Sequence, residues 1–286
     1  MSGVTISAST VLAGVAGRPI RHSLSPLLHN AWIAAAGLDA AYVAFSPLED
    51  GFTAFALGLR GGVIRGLNVT LPFKEEALRL ADHVSPLAKA AGAANLLLFH
   101  ANGRIEARNT DGQGLLYAFA RQAPAVDLRK RPIAILGAGG AAKGAAAALH
   151  EHGVLDIRVI NRTHSRASDL AAGFSTASAW SLEHCRDAFV GVGAVINATS
   201  TEVHGGEGVT LDFSTVAPGG VAMDMLYRPL ETKFLAAAKA QDLQTVDGLD
   251  MLIGQGIPSF EALFGDAPPT SVNARALLLS AMEGDR

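Results

Sequence analysis

The segment that most limits how this chain can fold is Pro132-Ile133-Ala134-Ile135-Leu136, which runs directly into Gly137-Ala138-Gly139-Gly140-Ala141-Ala142. A short buried-strand run ends in G-x-G-x-x-A, an alanine-rich helical stretch continues to about His150, and Gly153 stops it. A second apolar run, Ile157 to Ile160, completes a βαβ unit. Gly137 permits a tight turn, Gly139 lets the backbone approach a pyrophosphate, and small Ala142 lets the helix pack closely. The helix N-terminus adds unpaired N–H donors and the positive end of a dipole. A glycine-rich turn used only for packing is disfavoured by the strand before it, the helix after it and the second strand.

The second strand ends at Asn161, where proteins that bind NAD carry an acidic residue for the ribose hydroxyl. Arg162, Thr163 and Arg166 follow. A carboxylate repels a 2′-phosphate, whereas guanidinium donors fork onto one, so Asn161 to Arg166 reads as a selector for NADP. The competing reading is a solvated basic loop after a strand.

The same βα rhythm extends along the chain, with strand-like runs at Val11–Ala16, Ala194–Asn197 and Val221–Met225. Between Ala94 and Arg108 two extended runs flank Asn102-Gly103, which predicts a hairpin and a mixed first sheet. Arg129-Lys130-Arg131-Pro132 breaks the rhythm with charge and a proline, so a domain junction is expected nearby. Leu249–Phe264 and Ser271–Met282 read as helices, with Pro258 expected to bend or break the first. A chain of 286 residues favours about two domains.

Composition removes several classes of function. With 23 Lys+Arg against 26 Asp+Glu there is no global field to hold a nucleic acid or an anionic membrane, and a small-molecule partner is expected. Met1 to Gly17 is uncharged and broken by Ser and Thr, unlike a secretory signal, and no apolar run is long enough to span a bilayer. The single Cys185 reads as a small buried thiol in a reducing compartment, which points to the cytoplasm. The 9 histidines include no HExxH and no triad order, so no metal site is expected.

Three polar helix starts stand out in the first half. In Ser23-Leu24-Ser25-Pro26, Ser25 fits an N-cap with Pro26 at the first helical position, and two hydroxyls at a helix start also suit a small carboxylate. In Asn68-Val69-Thr70-Leu71-Pro72-Phe73-Lys74, the lysine sits in a first helical turn, against the dipole. Such a placement marks either a functional site or a surface lysine offset by Glu75 and Glu76. Asn109-Thr110-Asp111-Gly112 opens a third helix, where Thr110 or Asp111 could serve as the cap. Together the three suggest one cleft for a small polyhydroxylated anion.

These motifs, with Asn197-Ala198-Thr199-Ser200 and Gly248-Leu249 through Gln255, resemble the shikimate dehydrogenase family over nearly the whole chain. The resemblance implies NADPH-dependent, reversible reduction of 3-dehydroshikimate to shikimate. It implies an α/β fold of two domains: a mixed-sheet substrate-binding and catalytic domain over 1–112, to which a helix at 266–286 returns, and a Rossmann-type doubly wound NADP domain over 113–265. Carried over by motif, Lys74 and Asp111 are the catalytic pair. Ser23 and Ser25 hold the substrate carboxylate, while Asn68, Thr70, Asn95, Asp111 and Gln255 bind ring hydroxyls and Tyr227 lies near the substrate. Gly137, Ala138, Gly139, Gly140, Ala141, Asn161, Arg162, Thr163, Arg166, Thr199 and Gly248 fall to the cofactor.

The chain departs from the family pattern at Leu96, Ala107, Glu202 and Val203, which bear on the nicotinamide pocket more than on the substrate. The alternatives are an NAD-dependent quinate/shikimate dehydrogenase, against which Arg162 argues, and a catalytically silent NADP-binding sensor, against which the joint presence of Lys74 and Asp111 argues. A monomer or a homodimer fits the sequence equally.

Overall fold

Alternation of short apolar strands with helices produces two separate sheets, seen in a computed structural model that describes residues 6–199 and 211–284. One compact unit contains the chain up to Thr110 together with Gln255 onward, and the other is Asp111–Gly254.

The first unit carries β1 (Val11–Ala16), β2 (Ala40–Phe45), β3 (Ile64–Val69), β4 (His83–Val84), β5 (Leu96–Phe99) and β6 (Ile105–Arg108), in the order β2-β1-β3-β5-β6-β4. β1 lies parallel to β2 and β3, whereas β5 is antiparallel to both β3 and β6, so the sheet is mixed as expected. The hairpin turns at Asn102-Gly103. Gly103 has φ 81, and the Asn102 side chain accepts from the Arg104 N–H at 3.0 Å. Phe52, Leu67, Val69, Phe73, Leu97 and Ile105 form the core on one face.

In the second unit, β7 (Ile133–Leu136), β8 (Ile157–Asn161), β9 (Ala177–Ser181), β10 (Ala194–Asn197), β11 (Val221–Asp224) and β12 (Gln244–Val246) are all parallel, ordered β12-β11-β10-β7-β8-β9. This is the doubly wound arrangement, with the chain reversing direction across the sheet at β7 and β10. Both faces are covered, which is why β7, β10 and β11 are buried at every position, β7 apolar throughout and β10 and β11 apolar up to their last residues, Asn197 and Asp224.

Two expectations need correction. Arg129-Lys130-Arg131-Pro132 is not a junction: it lies inside the second unit, where Arg129 and Lys130 pair with Asp127 in the turn before β7. Charge plus proline marks any exposed connection, and the partition instead falls at Thr110/Asp111, without a breaker, where strand passes directly into helix. The chain re-enters the first unit at Gln255 rather than at 266, partway along the helix Leu249–Phe264. That helix runs on past Pro258 unbroken. Proline removes one backbone donor there, while Phe260 and Leu263 are buried at 0% and 1% exposure and anchor the turns that follow. The last helix is Ala274–Gly284, begun by Asn273, whose side-chain oxygen accepts from the Ala276 N–H at 3.1 Å, and it packs on the helix Ser25–Ala36.

Candidate active site

In the first unit the expected substrate residues gather at one end of the sheet. β1 and β3 are parallel, so Gly17 and Thr70 follow their C-terminal ends side by side, and a Cβ on Gly17 would collide with the Thr70 methyl group. The hairpin reverses direction, and that brings Asn95, just before β5, opposite Asn109 and Thr110, just after β6. The Asn95 amide oxygen accepts the Thr110 backbone N–H at 2.8 Å, and its Nδ2 donates to the Thr110 hydroxyl at 2.9 Å and toward Gln255 Oε1 at 3.4 Å. Asn68 Nδ2 donates to the Asn95 carbonyl at 3.2 Å and to Ser259 Oγ at 2.9 Å, while the Tyr42 hydroxyl donates to Asn68 Oδ1 at 2.8 Å. Asn68, Asn95 and Thr110 are buried, so this mesh satisfies polar groups that would otherwise cost free energy.

Lys74 is the first residue of the helix Lys74–Leu80, and its backbone carbonyl accepts from the Ala94 N–H at 2.9 Å, which ties this helix start to the Asn95 segment. Phe73, stacked on Phe52 at 4.6 Å, anchors the approach, and Pro72 precedes the helix after a cis bond rather than opening it. The two carboxylates offered as offsets for Lys74 have other partners. Glu75 pairs with Arg79 at 3.9 Å, and Glu76 accepts from the Thr53 hydroxyl and backbone N–H.

The serine pair behaves differently from expectation. Ser25 is itself the first helical residue, Leu24 occupies the N-cap position, and no side chain caps the helix. The local bond belongs to Ser23, whose Oγ accepts from the Ser25 N–H at 3.3 Å. Leu24 is already helical, with φ −84 and ψ −8, so the chain is turning before it reaches Ser25, and Ser25, inside the helix, does not act as the extended N-cap.

In the second unit, Gly137 has φ 109, and a Cβ there would press on Thr199 Cγ2 at 3.2 Å and the Ala198 carbonyl at 3.3 Å. Glycine is thus required at Gly137 both by backbone and by packing, and Thr199 is brought against the turn. Gly139 and Gly140 differ: a Cβ on either meets no described atom within 4 Å. Packing within the chain does not explain two glycines ahead of the helix Gly140–Glu151, whereas close approach of a pyrophosphate does, so the turn Gly137 to Ala141 fits a dinucleotide.

Asn161 ends β8 and donates to the Thr163 carbonyl at 2.9 Å; Arg162 is exposed in that turn, and Arg166 is exposed at the start of the helix His164–Ala171. Gly248 is forced by contact, because a Cβ would meet the Met225 and Leu226 carbonyls at 2.5 and 2.6 Å. Its N–H donates to the Leu226 carbonyl at 3.1 Å, next to Tyr227, whose phenol burial pushes up. Tyr227 thus lies in the second unit. Asp111, the first residue of the helix Asp111–Gln122, opens that unit. Ser200, Glu202 and Val203 lie outside the described residues.

Three residues escaped the sequence reading, and a fourth, Thr110, was given a different part. Thr110 spends its hydroxyl on the Gln255 carbonyl at 3.0 Å and on Asn95, not on a helix cap. Tyr42 and Ser259 hold Asn68. Asp224, fully buried at the end of β11, accepts from Asn197 Nδ2 at 2.9 Å, the Thr232 hydroxyl at 2.7 Å and the Leu226 N–H at 3.0 Å. Asn197 in turn accepts from the Thr199 hydroxyl at 2.8 Å, so one carboxylate braces the segments that carry Thr199 and Tyr227. A carboxylate ending an apolar strand was the available signal for Asp224; Tyr42 and Ser259 sit in apolar runs and gave none. Among the described residues no three of His, Cys, Asp and Glu form a metal-holding group, and no helix is long and apolar enough to cross a membrane.

Residues 15–97 match the shikimate dehydrogenase substrate binding domain, and residues 119–204 match the shikimate / quinate 5-dehydrogenase family. Shikimate dehydrogenase (NADP(+)) of Caulobacter vibrioides is 51% identical over 278 residues, covering 97% of this chain and 98% of that protein. Among solved structures, shikimate 5-dehydrogenase of Thermus thermophilus in complex with NADP(H) and shikimate is 36% identical, covers 95% of this chain and 100% of its own, and superposes with a TM-score of 0.82. Quinate dehydrogenase of Corynebacterium glutamicum in complex with NAD is 29% identical with a TM-score of 0.81, over 95% of this chain and 99% of its own. With a mixed-sheet unit holding a buried amide cluster, a doubly wound unit holding the glycine turn, and this likeness across both, the chain belongs to the shikimate dehydrogenase family.

Proposed function

We propose that this chain is an NADP-dependent oxidoreductase that reversibly reduces 3-dehydroshikimate to shikimate, a step of aromatic amino acid biosynthesis. The observation that carries the reading is the 51% identity to an NADP(+) shikimate dehydrogenase across 97% of the chain, and it coincides with a polar cluster suited to a small hydroxylated acid. The first unit then takes the substrate and the second the dinucleotide.

Ser23 and Ser25 receive the substrate carboxylate, and Thr70, Asn68, Asn95 and Gln255 receive ring hydroxyls, with Tyr227 bordering the ring. Gly137 to Ala141 receive the pyrophosphate and Arg162 and Arg166 the 2′-phosphate. Asn161 and Thr163 shape that loop, and Thr199 and Gly248 complete the cofactor set. NADPH, when bound, supplies the hydride. Lys74, as an ammonium, stabilises the negative charge that develops on the carbonyl oxygen and delivers its proton there. By the family motif, Asp111 is the second member of the catalytic pair and takes a substrate hydroxyl. In the reverse direction Lys74, as a neutral amine, accepts that proton.

The likeness to an NAD-bound quinate dehydrogenase makes quinate with NAD the second reading. Absorbance at 340 nm with each cofactor and each substrate separates the two: NADP with shikimate is expected to be fastest, and NAD with quinate being fastest would replace the assignment. No turnover in any combination would favour the silent sensor. We place the enzyme in the cytoplasm as a monomer or homodimer, to be checked by fractionation and by sedimentation.

A further inference from the structure

The hydrogen bonds around Asn68 determine which way its amide faces, and that carries a consequence for what it can recognise. A primary amide has two N–H donors and an oxygen with two lone pairs. Its nitrogen lies 3.2 Å from the Asn95 carbonyl, which also takes the Val69 N–H at 2.8 Å and can only accept. The amide therefore cannot be turned over, and Oδ1 faces the Tyr42 hydroxyl at 2.8 Å, which has to donate. The second N–H goes to Ser259 Oγ at 2.9 Å, and that hydroxyl passes its own proton to the Gln255 carbonyl at 2.9 Å. Both donors and one lone pair are occupied within the unit. What remains is the second lone pair of Oδ1.

The clamp is stiff. Tyr42 is 1% exposed and stacks on His29 with ring centroids 4.1 Å apart and planes 8° from parallel. Burial holds its phenol well above its usual pKa, so the donor persists across the physiological range. Ser259 is fully buried on a helix whose neighbouring residue, Phe260, is also fully buried.

We propose that Tyr42 and Ser259 are positioning residues that lock the Asn68 amide with only its oxygen available, so that this subsite takes a ligand hydroxyl as a donor and rejects an acceptor-only group. The inference rests on the reading of Asn68 as a substrate-binding residue.

Steady-state kinetics with NADP and shikimate test it. Tyr42→Phe keeps the ring stack and removes only the donor. It and Ser259→Ala should each raise KM for shikimate about tenfold, the worth of one buried hydrogen bond, with kcat and KM for NADP within about twofold. Ser259→Thr keeps the hydroxyl and should restore KM. In an Asn68→Ala background, adding Tyr42→Phe should raise KM no further, because the group it orients is gone. Shikimate analogues with each ring hydroxyl replaced in turn by hydrogen or by fluorine, used as competitive inhibitors, read the polarity directly. At one position fluorine should bind as poorly as hydrogen, and that position's penalty should vanish in Asn68→Ala.

If Asn68→Ala raises KM but Tyr42→Phe and Ser259→Ala do not, the clamp is irrelevant and the inference falls while the functional reading stands. A further rise in the double variant would overturn it as well, by showing that Tyr42 acts independently of Asn68. Fluorine binding as well as hydroxyl at the Asn68-dependent position would overturn the polarity. An unchanged KM in Asn68→Ala removes the underlying reading, and the inference with it.

Discussion

In the first unit the groups offered to a ligand are buried side chains that hold one another: Asn68, Asn95 and Thr110 are 5%, 3% and 4% exposed and share one hydrogen-bonded mesh with Tyr42, Gln255 and Ser259. In the second unit the turn proposed for the phosphates is glycine backbone at the start of the helix Gly140–Glu151, and the charged recognition proposed for the 2′-phosphate falls to Arg162, exposed in the turn after β8, and to Arg166, exposed at the start of the helix His164–Ala171. The difference follows from the size of what is bound. A small hydroxylated acid presents few groups, each of which has to be met in one orientation, and low dielectric around a satisfied network fixes that orientation. A dinucleotide carries phosphates that any helix N-terminus attracts, so geometry there can be left to glycine and the selective charge to solvated side chains. Substitutions in the first unit should therefore be coupled and tied to stability, while those in the second should act singly and respond to salt.

The largest effect is expected at Lys74. Lys74→Ala should lower kcat by roughly 10²–10⁴-fold, the range for a positioned acid or base, with KM for shikimate changing much less. Wild-type kcat with a raised KM would reduce Lys74 to a binding residue and shift the chemistry to Asp111.

Arg162→Ala should raise KM for NADP by about 10–100-fold, as expected for a lost charge-assisted hydrogen bond, and leave the weak use of NAD unchanged. Because Arg162 is exposed, the gap between parent and variant should narrow as ionic strength rises. Equal losses with both cofactors would dissolve the contrast between the units.

His29 sharpens the other side of the comparison through pH. It is fully buried, both ring nitrogens are without a hydrogen-bond partner, and burial lowers its pKa to about 3. Unfolded, it titrates near 6.5, so between those values the unfolded chain binds the extra proton and stability falls as pH drops, by up to about 1.4 kcal/mol per pH unit. At neutral pH this stability is fully present. His29→Phe removes the titrating group and can keep the stack on Tyr42, so urea melts at pH 7.5 and 5 should differ less for the variant than for the parent. The same pH dependence in both would exclude His29 as the source.

The smallest effect separates the two serines. Ser23 supplies the acceptor for the Ser25 N–H, so Ser23→Ala should cost about 0.5–1 kcal/mol in addition to weakening shikimate binding. Ser25 caps nothing, and Ser25→Ala should weaken binding with little change in melting temperature. The opposite order of stabilities would restore Ser25 as the cap.

Much of the fold is legible in adjacent residues. Ile133–Leu136, Ala194–Asn197 and Val11–Ala16 are read correctly to the residue because a largely buried strand shows as a short, mainly apolar run, and that pattern is local. The glycine turn is legible for a similar reason: Gly137 needs a positive φ that few other residues adopt. Lys74 draws attention by violating a local rule. Family motifs supply Asn68, Asn95 and Gln255, and nothing in their immediate neighbours would have done so.

What only the tertiary structure decided is non-local. That Ser259 reaches Asn68 across 191 positions, that Thr110 turns to Gln255 instead of capping its own helix, and that Asp224 braces both Thr199 and Leu226 depend on which chain ends the two sheets bring together. The same holds for the re-entry at Gln255, which falls inside one continuous helix, where Gly254, Gly256 and Pro258 do not interrupt the backbone. Backbone periodicity and special φ values are written in adjacent residues, so the sequence by itself determined the two sheets and the glycine turn. Buried polar groups take whichever partner the fold brings within about 3 Å, and that choice is made only once the chain has closed on itself.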